Sequence, residues 1–181
     1  DYVNTFDSKY LGVISYNRKN PQPVWIWEKI KVKTQRLYLK AITLNDLDFM
    51  AKLYGNPNNM KNIAAGRTFT RQQTLDKIKQ YISEKYTFYI IMKEYEPVGF
   101  FGYYDGKYIS TKLKGKQLIR IIIDEEHRRK GYSYEIVSEF KGYYTLIGDW
   151  NVPKKNLAKK LKSERIDSVK IKNKRYSLYI V

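Results

Sequence analysis

Three cations and a glycine stand in a row at Arg128, Arg129, Lys130 and Gly131, followed by Tyr132 and Ser133. Upstream runs the apolar β-branched segment Ile121, Ile122, Ile123, which stops at Asp124, Glu125 and Glu126. Downstream, Tyr132, Ile136, Val137 and Phe140 recur at the spacing of one helix face. A strand, a basic glycine turn and a helix start in that order make an anion site. The first N–H groups of a helix lack intrahelical acceptors, and the positive end of the helix dipole points the same way. Gly131 lets backbone approach the anion closely, and Ser133 stays small while adding a hydroxyl donor. The dipole contributes about 0.3–1 kcal/mol and each charge-assisted hydrogen bond about 1.5–3 kcal/mol.

The elements that must carry this loop read as one mixed α/β unit over residues 34–181, preceded by an N-terminal extension or accessory hairpin at 1–33. In that extension Tyr10–Tyr16 reads as a strand, 17–23 as a turn-rich break, and Val24, Ile26, Ile30 and Val32 as the apolar half of a period-two strand. Arg36–Ala41 is the first strand of the main unit. Thr43 with Asp46 and Thr70 with Gln73 resemble capping boxes that open two helices. The first helix buries Leu47, Met50, Ala51 and Tyr54 and ends at Asn56–Asn59; the second turns Leu75, Ile78 and Ile82 inward. Strands follow at Tyr86–Met92 and Val98–Tyr104, about a short turn containing Pro97, and at Gln117–Ile123. Gly142 ends the helix after the basic loop. A strand at Tyr143–Ile147, a helix at Pro153–Lys162 and a hairpin of Ser168–Ile171 with Tyr176–Ile180 close the chain.

That order resembles the GNAT superfamily of N-acetyltransferases, most closely its ribosomal-protein N-terminal (RimJ/RimL-like) branch. Thr34–Asp46, Gly55–Met60, Phe69–Gln73 and Val98–Gly102 fall where that branch has its landmarks. Arg128–Ser133 fits the acetyl-CoA signature Arg/Gln-x-x-Gly-x-Gly/Ala, with serine in the last place, and Asn151–Leu161 resembles the Asn-led fourth helix. The resemblance implies a mostly antiparallel mixed sheet with helices on both faces, splayed between the fourth and fifth strands of the unit. It also implies acetyl-CoA as cofactor and direct transfer of acetyl to a primary amine, either a protein N-terminal α-amine or a small amine. Its cofactor residues carry over to Ile121, Ile122 and Ile123, pairing with the pantetheine arm, to Arg128, Arg129, Lys130, Gly131, Tyr132 and Ser133, and to Asn151.

The chain departs from the family where the chemistry is done. The place of the usual glutamate base falls near Gln117 or Leu118, a glycine commonly stands where Arg120 is, and the fourth helix lacks the usual tyrosine acid. Candidate bases are Asp105 and Asp124, at the ends of the third and fourth strands. Tyr103 and Tyr104 are candidates for holding substrate or donating a proton. The lone histidine, His127, reads as structural or surface. Neutralising a lysine-type amine at pH 7 costs about 4.6 kcal/mol, an α-amine only about 1 kcal/mol, so a site without a strong base favours amines of low basicity. The alternative is a GNAT-fold binding module whose chemistry has lapsed.

Composition bounds the partners. The net charge of +17 favours acidic ones, including nucleic acid at the basic C-terminal region, although an AT-rich coding sequence also accounts for abundant Lys, Asn, Ile and the 18 tyrosines. With no cysteine and one histidine, disulfides, thiolate metal sites and a cysteine nucleophile are excluded and zinc is not expected. No apolar run approaches the roughly 18 residues of a membrane span. No signal-peptide pattern opens the chain, so the expected location is cytoplasmic; residues 1–33 are the expected contact for a second copy or an assembly partner.

Overall fold

Phe100 and Phe101 are neighbours in sequence, both fully buried, and they point into different cores. Extended backbone sends successive side chains to opposite faces, so an apolar run without alternation implies a strand covered on both sides. The computed structural model describes residues 10–17, 20–63, 66–83, 87–171 and 173–181. Its elements run β1 (Tyr10–Asn17), β2 (Asn20–Lys33), β3 (Tyr38–Ala41), α1 (Leu47–Gly55), α2 (Pro57–Met60), α3 (Arg71–Ser83), β4 (Thr87–Lys93), β5 (Glu96–Asp105), β6 (Gln117–Ile123), α4 (Tyr132–Val137), β7 (Tyr144–Gly148), α5 (Val152–Lys160), β8 (Glu164–Ile171) and β9 (Lys174–Ile180). Among the described residues the strands form one sheet, ordered β1-β2-β3-β4-β5-β6-β7-β9-β8. Every pairing is antiparallel except the parallel contact of β6 with β7.

One core lies between the sheet and the α1–α3 layer, built on Met50, Leu53, Ile78, Phe88, Ile90 and Phe100. A second lies under α4 and α5, built on Leu39, Ile91, Phe101, Ile119, Ile136 and Phe140, and a small third joins Leu113, Leu118 and Leu178. Fully burying one such side chain stabilises by about 1.5–3 kcal/mol. Gly102 belongs to this packing, since a Cβ there would run into the ring of Phe88. The capping boxes form as read. Asp46 accepts from the Thr43 N–H at 2.8 Å, while Thr70 N–H donates to Gln73 Oε1 at 3.0 Å and Gln73 N–H to Thr70 Oγ1 at 3.2 Å.

The structure corrects several local expectations. The inward face of α3 is Thr74, Ile78 and Tyr81, not the face containing Ile82, which is 52% exposed. The turn between β4 and β5 is Glu94–Tyr95, with Glu94 at φ 55°, and Pro97 sits inside β5 opposite Met92. Asn56–Asn59 does not simply end α1, because Pro57 starts the short α2. The break expected at 17–23 is shorter, β2 already beginning at Asn20. Tyr86, where the sequence reading begins the strand before Pro97, lies outside the described residues.

Candidate functional site

The strand that leads to the basic loop has one covered edge and one open edge. β6 pairs with β5 along its whole length, from Gln117 opposite Asp105 to Ile123 opposite Gly99. Toward β7 it pairs once, at Leu118 with Tyr144, and the strands then diverge. The residues expected beside the pantetheine arm, Ile121–Ile123, lie on this diverging stretch.

The loop after β6 is held from below. Glu125 accepts from Asn56 and Asn58 side chains at 3.0 and 2.9 Å, anchoring it to α2. Arg128 turns inward: its Nε donates to the Ile123 carbonyl at 3.2 Å, and one terminal nitrogen donates to the Asn58 carbonyl at 3.1 Å and to Asn59 Oδ1 at 2.6 Å. Arg129 and Lys130 are exposed. Arg129 and Gly131 adopt φ values of 62° and 83°, left-handed turns of the kind that gather successive N–H groups around an anion. Among the described residues none of the backbone N–H groups of 129–134 has an acceptor. Tyr132 is buried in the core, with the Arg36 guanidinium 5.1 Å above its ring, and Arg36 pairs with Glu135 at 2.7 Å. Ser133 is half-buried in the first turn of α4.

Between β6, β7 and α5 lies a narrow cleft lined by Ile119, Ile121, Thr145, Lys154, Leu157 and Ser163. The hydroxyls of Thr145 and Ser163 are buried and, among the described residues, have no hydrogen-bond partner. Buried hydroxyls are rarely left so, and the space beside this pair, about 10 Å³, is that of a single water. Free N–H groups at the loop and the open edge of β6 suit a long ligand with a phosphate at one end and amide groups along it. Lys154 also points into the cleft, donating to the Leu146 carbonyl at 3.0 Å. Burial, then the charge of Arg120, lowers its pKa to about 8. Asn151, expected to touch the cofactor, caps α5 instead: its side-chain oxygen accepts from the Lys154 N–H at 3.1 Å and its Nδ2 donates to the Asn62 carbonyl at 3.3 Å.

On the opposite face of β6 is a cavity of about 130 Å³, walled by Tyr54, Phe69, Lys77, Tyr81, Arg120 and Ile122. The Tyr54 and Tyr81 hydroxyls lie 3.1 Å apart. Burial first, and Tyr81 next, raises Tyr54 well above the ordinary phenol value. Arg120 approaches the Tyr81 hydroxyl at 3.5 Å and lies 5.5 Å from the ring centre of Tyr104.

The candidate bases are engaged elsewhere. Asp105 accepts from the N–H groups of Lys107 at 2.8 Å and Gly115 at 3.1 Å, and those bonds, the Lys107 one foremost, hold its carboxyl below the ordinary range. Asp124 is almost fully buried. Burial opposes its charge, but hydrogen bonds from Asn59 at 2.9 Å and the Glu125 N–H at 2.8 Å, with Lys52 at 3.2 Å, outweigh burial and hold its carboxyl low. Tyr103 packs on Tyr143 and Phe140 under α4, while Tyr104 stays beside Arg120. His127 pairs with Glu96 at 3.4 Å at the rim of the loop. Of the crowded lysines on α5, Lys155, Lys159 and Lys160 are exposed; Lys154 alone among them is drawn into the cleft.

Residues 36–161 match the family described as the acetyltransferase (GNAT) domain. No curated protein matches the chain. Several solved structures share the fold. A GNAT-family acetyltransferase from Bacillus anthracis aligns at a TM-score of 0.67 with 17% identity, covering 83% of this chain and 96% of its own. Spermidine N-acetyltransferase from Vibrio cholerae, in complex with CoA and spermine, aligns at 0.66 with 15% identity, covering 81% and 95%. RimL, a ribosomal L7/L12 α-N-protein acetyltransferase in complex with coenzyme A, aligns at 0.65 with 11% identity, covering 84% and 98%.

Proposed function

Because the chain belongs to the GNAT acetyltransferase family, we propose that it acetylates a primary amine of low basicity, either the α-amine of a protein or peptide or a small amine. It is an N-acetyltransferase that draws on acetyl-CoA, which when bound supplies an acetyl group activated as a thioester. The residues prepared for that group are the backbone N–H groups of 129–134, the exposed Arg129 and Lys130, and the free edge of Ile121–Ile123, whose N–H groups can polarise an acyl oxygen.

One observation carries the choice of acceptor: no Asp or Glu side chain lines the cleft or the cavity among the described residues, whereas Lys154 lines the cleft and Arg120 the cavity. Cations disfavour a second positive charge, so an incoming amine is pushed toward its neutral, nucleophilic form. Lys154 Nζ, with a pKa of about 8, is a group able to hold or release a proton near neutral pH. Asp105 and Asp124 we assign to the turn and to the strand exit, leaving Tyr104 as the remaining side chain of the expected set beside the cavity. The hairpin of β1 and β2 we assign to an accessory arm open to a second copy or another partner.

The test is release of free coenzyme A in the presence of a panel of amines at pH 7. The neutral fraction of an amine of pKa 7.8 exceeds that of one of pKa 10.4 by about 350-fold at pH 7, so α-amines should dominate turnover. Preference for ε-amines would remove this reading, and acetyl-CoA binding without turnover of any amine would return the fold to a binding module.

A further inference from the structure

A guanidinium inside an apolar strand needs an explanation. Arg120 stands between Ile119 and Ile121 in β6 and points into the α1–α3 side, where its strand neighbours Leu118 and Ile122 are buried. The guanidinium is half-buried, and a charge drawn out of water is normally paired, because desolvating one without a counter-ion is costly. Among the described residues no carboxylate pairs with Arg120. Its surroundings are the Tyr81 hydroxyl, the side chains of Tyr104 and Tyr54, to which it also hydrogen-bonds, and, across the cavity, Lys77, whose Nζ donates to Gln80 at 2.9 Å. The cavity thus carries two fixed cations, phenol donors and no acid. Its volume of about 130 Å³ is that of about four waters, enough for a small polar head group.

Resting on the acetyltransferase reading, we infer that the acceptor is an anionic amine, and that Arg120 holds its carboxylate or phosphate in the cavity of Tyr54, Tyr81 and Lys77. The guanidinium offers two parallel N–H donors to a planar carboxylate or to a phosphate, and the Tyr81 hydroxyl adds a third donor to the same oxygens. Arg120 lies next to Ile121, at the start of the free edge of β6, so an amine a few bonds from the captured anion lies close to where that edge opens. The same charge that binds the anion disfavours protonation of the amine, which joins recognition and activation in one side chain. Peptides with a carboxylate or phosphate side chain beside the free α-amine join this anion to an amine of low basicity; polyamines lack the anion.

The test is binding to the coenzyme A-loaded protein, measured by calorimetry with N-acetylglycine and with N-acetylglycinamide, which differ in charge at the far end. The acid should bind at least about tenfold tighter than the amide. Arg120→Gln should erase the difference and Arg120→Lys should keep part of it. Equal affinities, no binding of the acid, or a preference that survives Arg120→Gln would overturn the inference. The wild-type comparison decides alone if Arg120→Gln does not fold. Inorganic phosphate as competitor separates the sources: displacement of N-acetylglycine at lower concentration than acetate points to a phosphorylated acceptor, and the reverse to a carboxylate one. Because binding needs no turnover, an anion preference without coenzyme A release would sink the transfer reading and leave only the anion site at Arg120 standing.

Discussion

Arg128 donates to Asn59 Oδ1 at 2.6 Å, and Asn59 Nδ2 donates in turn to Asp124 at 2.9 Å. The arginine that leads the glycine turn is therefore spent on holding the loop to α2, which leaves the backbone N–H groups with Arg129 and Lys130 as the donors we propose for a phosphate.

Arg128→Gln and Arg129→Gln should accordingly differ in kind. Removing Arg128 leaves Asn59 and two carbonyls without their donor and should cost about 1–3 kcal/mol of stability, read as a lower urea midpoint. Removing the exposed Arg129 should leave that midpoint in place and weaken coenzyme A binding, with a shallower salt dependence.

At Gly131, with φ 83°, any side chain is strained by about 1–2 kcal/mol. Gly131→Ala should reduce coenzyme A affinity modestly. Gly131→Asp should abolish it, since it also places a carboxylate among the N–H groups meant for a phosphate. Equal affinities of the parent and Gly131→Asp in calorimetry would show that the loop is not the cofactor site.

Lys154→Met should stabilise the protein at pH 7. The folded pKa of about 8 lies below the ordinary 10.5, so the penalty of a buried ammonium is fully present below pH 8. Between pH 8 and 10.5 the unfolded chain binds a proton that the folded one does not, and native stability rises with pH. The gain from Lys154→Met should be about 1–3 kcal/mol at pH 7 and shrink through that window, as urea titrations at pH 7 and pH 10 would show.

Asp105→Asn should leave turnover within about threefold of the parent and alter the turn, because its carboxylate accepts from Lys107 and Gly115 and is held below the ordinary range. A loss of turnover by orders of magnitude, with the acid limb of the pH profile abolished, would restore it as a base.

The elements were legible where local pattern decides. Ile121–Ile123, the basic turn and Tyr132, Ile136 and Val137 announce a strand, a loop and a helix without tertiary information. In α3 two overlapping apolar faces compete, and the sheet chose Thr74, Ile78 and Tyr81 because Tyr81 can stack on Phe88, 4.2 Å between ring centres, and reach Tyr54. The site was half legible for a similar reason. A glycine flanked by cations shows in one dimension, but Asp105 looks like a base until its N–H donors are known. Lys154 looks like one more surface lysine until the helix phase turns it into the cleft. Arg120 did carry a signal: a charge at the inward phase of an apolar strand conflicts with burial, and such conflicts gather at functional sites.

The solitary rung between Leu118 and Tyr144 has a consequence for hydrogen exchange. Beyond it, every second amide of Ile119–Ile123 faces an open gap, so these amides should exchange with solvent deuterium far faster than their alternates bonded to β5. A strand laid into the gap would protect them. The exchange pattern of one short segment, alternating when free and uniform when bound, would thus report the arrival of acetyl-CoA without a label, an acceptor or a turnover.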